Sequence, residues 1–240
     1  MNNNHLVPAY LLPYVLTGSV AVAGTSLLGL RALAGASSRA RWTLSEVLAA
    51  WFFAALATSW LGFYQGSPSR APTIQYGLLI PILIGILLFW RWPALQRIVA
   101  AVPQRWIVTI QLYRVLGAIF LILYAAGRIP GVFALPAGIG DVLAGLLAPV
   151  VGLAYARGWR GSAALLRAWN LFGLADLAVA ITTGFLSSPS PLQILALNDP
   201  NRLISAFPLA MVPVFLVPLS VLLHLASLRK LGHTYGDSRP

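Results

Sequence analysis

The chain has 240 residues, 59% of them hydrophobic and only 9% charged, with a formal net charge of +11 and no cysteine. Soluble domains carry roughly 25% charged residues, so a water-soluble core of this length could not hide so much apolar surface, whereas hydrocarbon as solvent removes the difficulty. The missing cysteine excludes disulfides, thiolate chemistry and cysteine-ligated metals, and arginines placed at the ends of apolar runs, not along one stripe, argue against a nucleic-acid partner.

In chain order, the N-terminus MNNNHLVPAY lacks a positive n-region. No cleavable signal is therefore expected, and the first apolar run stays as an anchor. Apolar spans read 9–31, 43–64, 73–92, 105–127, 137–156, 163–186 and 203–228, each near the roughly 20 residues that cross a bilayer. They predict an all-α fold: a polytopic transmembrane helical bundle of about seven helices, one integral membrane domain over 1–240. Breaks with turn chemistry or charge separate them, such as Ser67-Pro68-Ser69-Arg70, Ile129-Pro130-Gly131 and Asn198-Asp199-Pro200.

The basic residues set the orientation. Arg31, Arg39, Arg41, Arg91, Arg97, Arg105, Arg157, Arg160, Arg229, Lys230 and Arg239 fall on one side, and only Arg70, Arg128 and Arg202 on the other. The positive-inside rule then predicts the N-terminus outside and the C-terminus cytoplasmic. The alternation itself supports seven spans, because one span more or fewer would scramble it. Leu95, Ile98, Val99 and Val102 share a helical face, which predicts a short helix on the cytoplasmic interface. The proline-broken segment Pro130–Pro136 is expected to rest at the outer interface or dip inward.

Small residues recur every four positions: Gly140, Ala144, Ala148, Gly152 and Ala156 in span five, Ala50, Ala54, Thr58 and Gly62 in span two, and Thr17, Ala21, Thr25 and Gly29 in span one. Such ridges let membrane helices approach closely and offer faces for homo-oligomerisation. The end of span two, Gly62-Phe63-Tyr64-Gln65-Gly66-Ser67-Pro68-Ser69, resembles the end of span six, Gly184-Phe185-Leu186-Ser187-Ser188-Pro189-Ser190. A parallel 3+1+3 repeat, with span four as the linker, would produce that match.

Ionisable groups in hydrocarbon are costly and mark functional sites by default. Arg114 lies near the middle of span four, on a stripe with Gln111 and Gln104, and Asp176 lies near the middle of span six at similar depth. Their contact is the leading expectation. Asp141 reads as about one turn inside the outer end of span five, a mate for Arg128 or water. Arg167 shares a face with Asn170 and is near enough to the cytoplasm to snorkel. The site so drawn is substrate-binding: Arg114 takes a polar or anionic group, Gln111 and Asn170 donate hydrogen bonds, and Asp141 and Asp176 serve as proton-linked carboxylates. The bland alternative is a buried pair that fixes helix register.

His224 is the only histidine in a span, and reads as an interfacial residue. Haem, zinc and retinal lack their ligand sets or lysine here, so no cofactor and no metal are expected. P-loop, dinucleotide, HExxH and Ser-His nucleophile patterns are missing. The leading function is a small transporter or permease of a bacterial cytoplasmic membrane, its partners being the lipid bilayer and a small polar or anionic solute. The rivals are a membrane-embedded acid–base enzyme acting on a lipid through Asp141 and Asp176, and an accessory or structural membrane subunit.

Overall fold

The computed structural model describes residues 8–33 and 37–236. The signal-peptide reading on residues 1–7 and Arg239 of the orientation count lie outside the described residues. The described residues form eight helices and no strand: α1 (Leu11–Ala32), α2 (Ser38–Trp60), α3 (Ile74–Arg91), α4 (Pro93–Ala101), α5 (Gln104–Ala125), α6 (Gly131–Ala156), α7 (Ser162–Ser187) and α8, a π turn Val212–Leu216 running into Val217–Gly236. All but α4 are long and apolar enough to span a membrane. The least buried of them is α3, where only 6% of the apolar window is buried and Leu79, Leu83, Ile84 and Leu87 face outward.

Local chemistry sets the ends. Ser37 caps α2 by accepting from the Ala40 amide at 3.2 Å, so α2 starts before Arg39 and Arg41, five residues earlier than the hydropathy boundary at 43. Pro93 occupies the first turn of α4, where its missing N–H costs nothing. Leu95 and Ile98 of α4 are buried. The Lys230 ammonium of α8 donates to the carbonyls of Val99 at 3.3 Å, Val102 at 2.8 Å and Ala100, closing the exposed C-terminus of that short helix.

At three further points the structure departs from the sequence expectation. The segment Pro130–Pro136 is not a separate broken stretch but the start of a helix. Pro130 caps α6, Gly131 begins it and Pro136 is carried inside, where its missing N–H leaves the Val132 carbonyl without its helical donor. The last span starts at Val212, nine residues later than 203: Pro208 has no N–H to give a helix running through it, and Pro213 stands in the first turn of the span, where its missing N–H costs nothing; the Phe207–Pro208 peptide is cis. The resemblance between the ends of α2 and α7 is not a shared backbone: Gly62 has φ +72° and stops α2, whereas Gly184 lies inside α7.

α6 is the central helix, packed between α5 and α7. Its glycines make that possible. A Cβ on Gly145 would stand 2.7 Å from the Val115 amide nitrogen of α5, and one on Gly152 would stand 2.8 Å from the Thr109 hydroxyl. Except for exposed Ala156, the small ridge on α6 is thus consumed inside the chain; Ala144 and Ala148 are fully buried, and the Trp169 indole of α7 donates to the Ala144 carbonyl at 3.0 Å. On α1 and α2 the ridge residues Ala21, Thr25, Ala50 and Ala54 stay exposed.

Candidate functional site

The centre of α5 is not α-helical. Ile110–Gly117 is wound as a 3-10 helix, in which side chains three apart eclipse one another. Gln111, Arg114 and Gly117 therefore line up on one edge, and all three are buried. That edge aims the Arg114 guanidinium into the junction of α6, α7 and α8.

Four groups meet the guanidinium. Its Nε donates to Asp141 Oδ1 of α6 at 2.8 Å, and its Nη2 donates to Asp176 Oδ2 of α7. Its Nη1 approaches His224 Nε2 of α8 at 3.1 Å and the Gly173 carbonyl at 3.4 Å. Asp141 was expected near Arg128 and the outer end; instead it pairs with Arg114. The physical reason is the earlier start of α6, which puts Asp141 ten residues, about 15 Å, inside the helix.

Backbone clearance makes the carboxylates fit. A Cβ on Gly140 would collide with Asp176 Oδ1, and one on Gly117 would stand 2.6 Å from Asp141 Oδ2. A Cβ on Gly173 would collide with the His224 ring. Three glycines on three helices thus leave room for the three groups around Arg114.

Donor accounting fixes the histidine. Arginine has no acceptor, so His224 Nε2 must be the unprotonated nitrogen facing Nη1. The proton then sits on Nδ1, which donates to Asn170 Oδ1 at 2.9 Å. Asn170 Nδ2 in turn donates to Ser227 Oγ at 2.9 Å and to the Leu166 carbonyl at 2.8 Å. Gln104 Nε2 closes the string on Ser227 Oγ at 2.7 Å. A hydrogen-bonded seam thus runs from Arg114 toward the arginine-rich ends of α5, α7 and α8. His224, Asn170 and Ser227 are all fully buried.

On the other side of Arg114 lies a cavity of about 30 Å³, with Tyr14, Tyr113, Gly117, Asp141 and Ser220 in its wall. Roughly 10–15 Å³ on this measure holds one water, so the cavity has room for about two. Tyr113 is held there by donating to the Leu216 carbonyl at 2.9 Å, with its oxygen 2.7 Å from Ser220 Oγ. The α8 backbone nearby is irregular for a stated cause. Pro218 deprives the Val214 carbonyl of its helical donor, and the Trp51 indole of α2 supplies one at 3.3 Å.

The expected site residues Arg114, Asp176, Asp141 and Asn170 are brought into one connected network. Gln111 is not part of it: both its amide atoms are buried without a partner among the described residues. Arg167 is exposed and does not share the buried face of Asn170. Sequence reading missed the part His224 plays: it is fully buried and bonded to Arg114 and Asn170. Its signal was present in the spacing: Ser220, His224 and Ser227 are four and three residues apart, one polar edge of an apolar helix. Among the described residues no three His, Asp or Glu side chains are grouped to hold a metal ion.

The chain matches the family described as Domain of unknown function (DUF8737) over residues 71–232, and it belongs to that family. The match takes in every residue of the Arg114 network and leaves out α1 and α2. Nothing among the curated proteins matches the chain. Nothing among the solved structures matches it either.

Proposed function

We propose that this family member is a small permease of a bacterial cytoplasmic membrane, with its N-terminus outside and its C-terminus cytoplasmic, moving a small polar or anionic solute past Arg114. The observation that carries the reading is one buried guanidinium held by two carboxylates from different helices, Asp141 and Asp176, beside a water-sized cavity. One carboxylate suffices to neutralise one arginine. A second gives the guanidinium a partner that a solute's acid group can replace without leaving the cation bare, which a buried charge requires. The cavity on one side and the hydrogen-bonded seam on the other correspond to an occluded state: solute approaches from the cavity, and the seam must part for release toward the arginine-rich side. The enzyme alternative, acid–base chemistry on a lipid, draws on the same two carboxylates sharing one guanidinium.

The test is flux. The full chain, Arg114→Ala and Asp176→Asn are reconstituted in proteoliposomes, and entry of formate, acetate, urea and glycerol is followed by stopped-flow light scattering. Entry of at least one solute is expected to be faster with the natural chain than with either variant. Equal rates for all three proteins with every solute would remove the proposal.

A further inference from the structure

The charges around Arg114 do not balance. The groups facing the cluster from every element packed on it are Arg114 and Tyr113 of α5, Asp141 of α6, Asp176 of α7, His224 of α8 and Tyr14 of α1. The tyrosines are engaged as neutral hydroxyl donors, to Leu216 and to Leu116. His224 is neutral by the donor accounting above. Two ionised carboxylates and one guanidinium would leave a net charge of −1 among side chains that are almost wholly buried, where an uncompensated charge is very costly.

The geometry says where a compensating positive charge fits. Each carboxylate gives one oxygen to Arg114: Asp141 gives Oδ1 and Asp176 gives Oδ2. Neither Asp141 Oδ2 nor Asp176 Oδ1 takes a hydrogen bond from the described residues, but Asp176 Oδ1 stands against Gly140, whereas Asp141 Oδ2 stands against Gly117, and of the two carboxylates only Asp141 walls the cavity. A metal cation there would need several oxygens. The wall is instead mostly apolar, with Val15, Ile119, Phe120 and Leu177, and its Tyr113 and Ser220 hydroxyls are already paired. A proton needs only one oxygen and a water to deliver it.

We propose that the Asp141–Arg114–Asp176 cluster holds one exchangeable proton, carried on Asp141 Oδ2 and delivered through the adjoining cavity. The carboxylate gains H⁺ and becomes a neutral carboxylic acid, still accepting from Nε through Oδ1, while Asp176 stays the anion paired with Nη2. The seam on the other side offers no continuation, because the Asn170 and Gln104 amides do not relay protons. The proton therefore exchanges with one face only in this state. Resting on the transport reading, one consequence follows: replacing a carboxylate on Arg114 by a solute anion keeps the cluster neutral only if a second proton enters with it.

The test is infrared spectroscopy of the purified full chain at pH 7 to 8, reading the C=O stretch of a protonated carboxylic acid and its shift in D₂O. The sequence helps, since Asp and Glu together number only 5. The natural chain is expected to show one such band. Asp141→Asn and Asp176→Asn should each lose it, because the single remaining carboxylate then pairs with Arg114 as an anion. Arg114→Gln should strengthen it, because two carboxyls without a cation both take protons. No band in the natural chain, or a band that survives in both aspartate variants, overturns the proposal. The first outcome can be read even if a variant fails to fold. No flux is measured, so failure here leaves the transport reading standing, and failure of flux leaves this result intact.

Discussion

Replacing Arg114 by methionine keeps most of the side-chain volume and removes the guanidinium. The side chain is only 1% exposed and makes two charge-assisted bonds, to Asp141 and Asp176. Such bonds contribute about 1.5–3 kcal/mol each, and breaking a buried pair by removing one partner costs about 3–5 kcal/mol. A chain unfolded within lipid also finds polar partners, which lowers the net value. The expected loss is therefore at the low end, about 3 kcal/mol. The assay is unfolding in mixed detergent micelles with increasing SDS, followed by circular dichroism. The companion is the triple variant Arg114→Met, Asp141→Asn, Asp176→Asn, which removes all three charges and should recover more than half of the loss. A single-variant loss below about 1 kcal/mol would refute the reasoning, because the guanidinium would then not be what holds the two carboxyl groups. So would a triple variant no more stable than the single one.

Two further outcomes are expected. Gly140→Ala puts a methyl group where Asp176 Oδ1 sits and should cost about 1–3 kcal/mol in the same unfolding assay, whereas Gly24→Ala, with nothing within 4 Å, should be neutral or stabilising by up to about 1 kcal/mol. Because the chain has no cysteine, single cysteines can report sidedness: Arg39→Cys, Arg97→Cys and Arg160→Cys should react with an impermeant maleimide from one face of a sealed vesicle, and Arg70→Cys and Arg202→Cys from the other. Positions 39 and 97 on opposite faces would contradict the seven-span arrangement.

The gross plan was legible because one physical quantity, transfer of apolar residues out of water, acts on every span alike. The boundaries of α3 shifted by a single residue at each end between hydropathy and structure, from 73–92 to Ile74–Arg91. Prolines were harder. Pro136 and Pro208 look alike in sequence, yet Pro136 is carried within the first turns of α6, while Pro208 precedes a helix that starts only at Val212. Both prolines sit in apolar runs, so nothing in the local sequence separates the two cases.

From the sequence by itself follow seven apolar helices, the sorting of arginines between their two ends, and the depth match of Arg114 with Asp176. Each of these depends on composition and on distance along one helix. Only the tertiary structure decided that Asp141 and His224 join Arg114, and that Gln111 is left out. Those facts turn on the 3-10 winding of Ile110–Gly117 and on the glycine clearances at 117, 140 and 173. A buried charge takes its partners from other helices, and which helix faces it is set by packing between backbones, a quantity that no single segment of the chain contains.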